Sequence, residues 1–218
     1  MARERGRDIL PEIEGLVDLI FGLALSIGAL ILINTIPQNP GEIINDLLAF
    51  TYGFIILVFI WEEITKEMLL FKVETQGTLR VTYILLFLVA LEPYLFNLIT
   101  QHAESSIDEL ASMLYALDLG ALMLILAFFA QKIVNGEGNV TPKVRRFYRY
   151  KRQSFMFTAA VFIISMVPIF WSISIGDWTK LRFVLWLIAP MMGLIMTVIR
   201  HLRGEEEGEP KAAEEEIA

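Results

Sequence analysis

The chain has 218 residues, of which 56% are hydrophobic and 20% are charged, with a mean hydropathy of +0.58 and a formal net charge of -7. An ordinary soluble domain is about 45–50% apolar and about 25% charged, and a single globule of this length cannot bury so much apolar surface. The composition therefore excludes an ordinary soluble domain and predicts an integral membrane protein with the lipid bilayer as its partner. The absence of cysteine excludes disulfides and thiolate chemistry.

Six apolar stretches follow one another along the chain, each close to the roughly 20 residues that a transmembrane helix needs. The predicted spans are residues 15–36, 43–61, 81–100, 111–130, 155–175 and 181–199. The second is expected to continue as a helix beyond the bilayer through residue 67. Pro168 and Pro190 interrupt the last two stretches, but proline is tolerated in membrane helices where neighbours satisfy the freed carbonyls.

Basic residues are distributed unevenly between the two sides that these spans define. All but two of the 18 Lys and Arg residues fall on the side that carries both termini, and the exceptions are Lys180 and Arg182. The positive-inside rule places that side in the cytoplasm. We therefore expect an all-α integral membrane protein with six transmembrane helices and cytoplasmic N and C termini. Residues 1–14 form a cytoplasmic segment, 15–203 the helical domain and 204–218 an acidic, disordered tail.

The connection between the fourth and fifth predicted spans is strongly basic. Its cations are Lys132, Lys143, Arg145, Arg146, Arg149, Lys151 and Arg152, interleaved with aromatic residues. Such a pattern can bind nucleic acid, but beside a membrane it is better explained by topology and by contact with anionic lipids. No nucleic-acid partner is expected.

Motifs that carry catalytic chemistry are missing from the sequence. The two histidines, His102 and His201, lie near span ends on opposite predicted sides, so they cannot form a shared metal site. Serine-hydrolase, zinc-protease and phosphate-loop patterns do not occur. We therefore expect no enzyme activity, no catalytic residues, no metal site and no cofactor.

Three acidic residues lie within predicted spans. Even on permissive insertion scales, the free-energy cost of a central Asp is about 2.5–3.5 kcal/mol. Asp18 either is an interfacial residue stabilised by the positive N-terminal end of its helix, or takes part in gating or assembly. Glu92, which precedes Pro93, either bonds to a freed carbonyl or a neighbouring helix, or transfers protons. Asp118 either has a partner on an adjacent helix or lies nearer the surface. Glu92 and Asp118 are thus possible proton sites.

The first predicted helix carries a distinctive face. The helical repeat aligns Leu23, Leu30 and Asn34, with Ser26 and Ile27 on the flanks. Brought together from several copies, this face would form a pore in which apolar rings make a hydrophobic constriction, Ser26 and Asn34 face the ions, and gating occurs by dewetting. The alternative is close helix packing through its small residues, with no pore.

The stretch from Asp18 to Ser26 resembles the first-helix signature of the transmembrane protein 175 family, lysosomal potassium channels and their prokaryotic relatives. Asp18 matches the motif aspartate, Phe21 a recurrent aromatic, Leu23 the constricting position and Ser26 the hydroxyl layer. Trp61 and the six-span body are similar to prokaryotic single-repeat members of the family.

The sequence departs from the family signature at Leu16 and Val17, where the motif has Phe and Ser, and at Glu12, where it has Arg. The resemblance implies a homotetramer in a prokaryotic plasma membrane, with K⁺ as the permeant ion. It also implies that Leu23 forms the pore constriction and that Leu30 forms a second narrow level. It further implies that Asp18, Phe21 and Trp61 are motif residues with a role in assembly of the homotetramer.

Three functions remain open from the sequence. The first is a passive potassium channel with a pore lined by the first helix. The second is a proton-coupled or proton-conducting transporter that uses Glu92 and Asp118, and the third is a membrane scaffold without transport. A channel depends most on Leu23, a transporter depends most on Glu92, and a scaffold carries no flux.

Overall fold

The computed structural model describes residues 9–34, 39–70, 76–101, 106–136, 140–175 and 179–188. These residues are almost entirely helical. The helices are α1 (Ile9–Asn34), α2 (Pro40–Leu70), α3 (Gln76–Gln101), α4 (Ser106–Val134), α5 (Pro142–Ser165) and α6 (Ile169–Ser172). A short antiparallel pair, β1 (Ser174–Ile175) and β2 (Thr179–Lys180), follows α6, and residues 181–188 are helical again.

Four helices in these described ranges, α1 to α4, are long and apolar enough to cross a membrane. At 1.5 Å per residue the 26 residues of α1 extend about 39 Å, more than the roughly 30 Å hydrocarbon core of a bilayer. The helices coincide with the first four predicted spans. The fold is thus consistent with the predicted all-α membrane protein.

Helix α2 continues well past Trp61, as the sequence predicted, and ends at Leu70. The acidic residues of this extension are not simply solvated, because Glu63 is 5% exposed and Glu67 is fully buried. One side of the helical extension is therefore buried within the protein.

The predicted fifth span is not one continuous helix. Helix α5 begins at Pro142, well before residue 155, and ends at Ser165. Pro168 lacks an N–H group and immediately precedes α6, so the hydrogen-bond ladder of α5 cannot continue through it. Of the predicted sixth span only residues 181–188 are described, so a number of spans above four remains a prediction. Residues 1–8 and the acidic tail lie outside the described residues.

The chain divides into two compact units, Met1–Thr65 with Val73–Asp118, and Lys66–Lys72 with Leu119–Ala218. In the first unit α1 packs along α3. The second unit buries the aromatic side chains of Phe129, Phe155, Phe162 and Trp186. The division expected from the sequence, into residues 1–14, 15–203 and 204–218, stays a prediction.

In the second unit, a buried arginine stabilises the end of α5. Arg182 Nε donates to the carbonyl of Ser165 at 2.7 Å, and Nη2 donates to the carbonyl of Met166 at 3.2 Å. These carbonyls lie at a helix terminus, where no intrahelical donor follows. Arg182 is fully buried although its position in the sequence suggested an external cation. Its hydrogen bonds and charge complement the negative end of the helix.

We expect Arg182→Met to lower the free energy of unfolding by about 2–4 kcal/mol, because it leaves one buried and one partly buried carbonyl without these donors. Lys180→Met is the control, since it removes a neighbouring cation that is only partly buried. Denaturant titration of purified protein in mixed micelles measures both values. Equal effects in the two variants would contradict the capping role.

Candidate functional site

Helix α1 presents two faces of opposite exposure. Ile13, Val17, Phe21 and Ala24 recur every three or four residues and are no more than 4% exposed. This buried face belongs to the helix that packs along α3. Because the helix repeats every 3.6 residues, residues about half a turn away from this buried face lie on the opposite side of α1.

The opposite side of α1 is an apolar outward stripe, which consists of Leu19, Leu23, Ser26, Ile27 and Leu30. Its four aliphatic side chains are 44–57% exposed in the single chain. The predicted constriction residues Leu23 and Leu30 both lie on it, 49% and 55% exposed, about 10 Å apart along the helix axis.

Ser26 is the polar member of the outward stripe. Its hydroxyl is exposed and donates its proton to the carbonyl of Gly22 at 2.7 Å. Because the proton is used within the helix, the lone pairs of the oxygen are the part available to a ligand. The side chain can therefore accept a hydrogen bond or coordinate a cation. The predicted ion-facing side chain of Asn34 lies outside the described side chains.

Two residues that the sequence assigned to the motif meet at one end of the stripe. Trp61 Nε1 donates to Asp18 Oδ1 at 2.8 Å and so joins α2 to α1. Phe21, the third motif residue, is 2% exposed and lies on the buried face. The motif positions thus hold α1 in place, two by hydrogen bonding and one by packing.

Glu92 of α3 has a partner on another helix. It is 2% exposed, and Tyr115 of α4 donates its hydroxyl to Glu92 Oε1 at 3.0 Å. Tyr115 is fully buried and its ring lies 5.5 Å from that of Phe96. Tyr115 was not selected from the sequence. The signal that could have found it is a phenol in an apolar span, because such a hydroxyl usually requires a polar partner.

Asp118 follows Tyr115 by one helical turn and is 3% exposed. Among the described residues, neither of its carboxylate oxygens has a hydrogen-bond partner. It interacts electrostatically with Glu92. The structure therefore brings the two candidate proton sites into one polar cluster with Tyr115, and this cluster lies inside the first unit.

A cavity of about 50 Å³ reaches Glu92 from between α1, α2 and α3. Its lining is mainly apolar and aromatic and includes Gly28, Phe50 and Phe96, while Asp46 and Glu92 supply carboxylates. A water needs about 10–15 Å³, so the cavity has room for a few waters. A Cβ at Gly53 would lie 3.5 Å from Glu92 Oε1, which is an ordinary van der Waals contact.

No group of three or more His, Cys, Asp and Glu residues in the described part of the chain could hold a metal ion. The candidate site therefore consists of two separate arrangements in the first unit. One is the outward stripe of α1, and the other is the buried carboxylate cluster with its cavity.

We expect the bond between Trp61 and Asp18 to be measurable in a double-mutant cycle of Trp61→Phe and Asp18→Ala. The coupling free energy should be about 0.5–1.5 kcal/mol, the usual contribution of one hydrogen bond. Denaturant titration of the wild type, both single variants and the double variant gives this value. Strictly additive effects would show that the contact contributes nothing to stability.

Comparison with known proteins finds no matching family model, no significantly similar curated protein and no significantly similar solved structure.

Proposed function

We propose that the protein is a passive cation channel, permeable to K⁺, whose pore is lined by α1 from several copies of the chain. The proposal is supported above all by the outward stripe of α1. Leu23, Ser26 and Leu30 lie together on it, while the opposite face of the helix is buried. A pore between copies needs just such a face, one that the protomer leaves uncovered.

The chemistry of the stripe fits a monovalent cation. Leu23 and Leu30 supply two apolar levels at which a narrow pore would dewet, and Ser26 supplies an oxygen between them. The stripe carries no ionised side chain. Selectivity then rests on pore width and on the cost of dehydration, since the sequence has no T-V-G-Y-G carbonyl filter.

The number of copies comes from the family resemblance, which implies four. One helix cannot enclose a pore, so the channel requires an assembly in which the stripes face a common axis. The hydrogen bond between Asp18 and Trp61 supports this arrangement because it limits rotation of α1 about its own axis. The stripe is thereby held outward.

We expect Leu23→Ala to raise K⁺ flux about tenfold, which corresponds to a barrier lowered by about 1.4 kcal/mol. The smaller side chain widens the apolar level and eases wetting. The measurement is K⁺ efflux from liposomes that contain purified protein. Leu48→Ala is the matched control, because Leu48 is 64% exposed on α2 and does not belong to the stripe.

Two results of the comparison between Leu23→Ala and Leu48→Ala would contradict the channel proposal. One is a flux that Leu23→Ala leaves unchanged. The other is an equal change in Leu23→Ala and Leu48→Ala, because it would reflect bilayer contact rather than a constriction. Absence of K⁺ flux in folded wild-type protein would favour the scaffold.

A second candidate function is supported by the buried polar cluster. Glu92 borders a cavity with room for a few waters, and Asp118 lies near it without a hydrogen-bond partner among the described residues. Carboxylates inside a membrane span often mark proton pathways. A proton-coupled or proton-conducting transporter would use this cluster and not the outward stripe.

We expect Glu92→Gln to leave K⁺ flux within about twofold of the wild type, because the amide oxygen can still accept from Tyr115 and the fold is retained. Glu12→Gln, at an exposed position of α1, is the control. The same liposomes carry a proton-sensitive dye. Flux that requires a proton gradient and is lost in Glu92→Gln alone would replace the channel with the transporter.

A further inference from the structure

Helix α5 has one face that stays exposed along its length and changes character halfway. In its first three turns this outward face carries Arg145, Arg146, Arg149 and Tyr150. In its last three turns it carries aliphatic and aromatic side chains that are 40–55% exposed, Met156, Phe157, Ile163 and Ile164. The change occurs near Gln153. A single helix face thus passes from cationic to apolar within about two turns.

The inner face of the same helix is anchored in the protein throughout. Val144, Tyr148, Phe155 and Phe162 are no more than 4% exposed. Thr141 caps the first turn by accepting from the N–H of Val144. The cations are therefore carried by an ordered helix and not by a loose connection.

Of the six cations of α5, two are held by contacts within the protein and two of the exposed ones lie on the outward face three residues apart. Lys151 lies 5.3 Å from the ring centroids of both Phe147 and Tyr148, and Arg152 donates to Gln131. These two are engaged by the protein. Arg146 and Arg149, in contrast, are exposed on the outward face. Their guanidinium groups are available for an external ligand.

The exposed arginines lie close together on that face. Arg145 and Arg149 are four residues apart, and Arg146 and Arg149 are three apart, so their side chains share one helical turn. Like charges at this spacing destabilise a helix, and α5 contains no Asp or Glu. An anion with several oxygens relieves the repulsion, and guanidinium groups bind phosphate oxygens in pairs.

We propose that this arginine surface, Arg145, Arg146 and Arg149, binds the phosphate headgroups of anionic lipids while the apolar part of the same face lies among their acyl chains. Tyr150 fits this boundary because its amphipathic ring is typical of the headgroup level. The interface would cross α5 near Gln153. The inference requires a membrane but does not depend on the proposed channel.

The test uses delipidated, purified full-length protein in neutral detergent and compares binding of phosphatidylglycerol with binding of phosphatidylcholine by native mass spectrometry. We expect wild type to retain phosphatidylglycerol, and R146Q/R149Q to bind it about ten- to thirtyfold more weakly, at about 1 kcal/mol for each cation. R146K/R149K keeps the charge and should lose less. The exposed positions allow both variants to fold, which circular dichroism checks.

The matched control is R3Q/R5Q, which removes the same charge from the N-terminal segment on the same predicted side of the membrane. It should leave phosphatidylglycerol binding unchanged. An equal loss in R3Q/R5Q and R146Q/R149Q would overturn the proposal, because any basic segment would then suffice. So would tight binding of soluble glycerol phosphate, which would indicate a site for free phosphate, or preferential binding of an RNA oligonucleotide.

Discussion

Backbone hydrogen bonding is the constraint on which the rest of this structure depends. In lipid no water is available to an exposed N–H or C=O group, so a spanning segment satisfies them by forming a helix. Helices α1 to α4 meet the requirement internally over lengths that suit a bilayer. Where α5 stops at Ser165, the carbonyls there cannot be satisfied by a next turn, and the guanidinium of Arg182 supplies donors from later in the chain. A buried cation is thus the consequence of a broken helix.

Polar side chains also find few hydrogen-bond partners in an apolar environment, and this determines where they lie. Ser26 gives its proton to the carbonyl of its own preceding turn, Gly22, whereas Tyr115 gives its proton to Glu92 on another helix. The first bond leaves an oxygen on the outer surface of the protomer. The second bond holds the carboxylate of Glu92 in the buried interior of the protomer. Ser26 and Tyr115 are therefore each placed by the acceptor nearest to them, and this placement separates the two candidate functions.

Hydropathy and the helical repeat predict α1 to α4 and the outward position of Leu23 and Leu30, because both depend on local sequence alone. The interruption of the fifth span could not be predicted in this way. The run from 155 to 175 carries no charge, its Pro168 is compatible with either a continuous or a broken membrane helix, and the partner that stabilises the break, Arg182, comes later. Tyr115 and the cavity beside Glu92 also depend on which helices pair and on the volume left between them. A single sequence records neither.

The packing of α1 keeps the two candidate pathways apart. Its outward stripe is exposed, whereas Ala24, Leu25 and Gly28 line the cavity that reaches Glu92. The helix is therefore a wall between the surface available to other copies and the carboxylates inside the protomer. Ions in a pore between copies would not meet Glu92, and protons that reach Glu92 through the cavity would not pass Leu23. The two functions consequently make independent demands on the sequence, and α1 can satisfy one without the other.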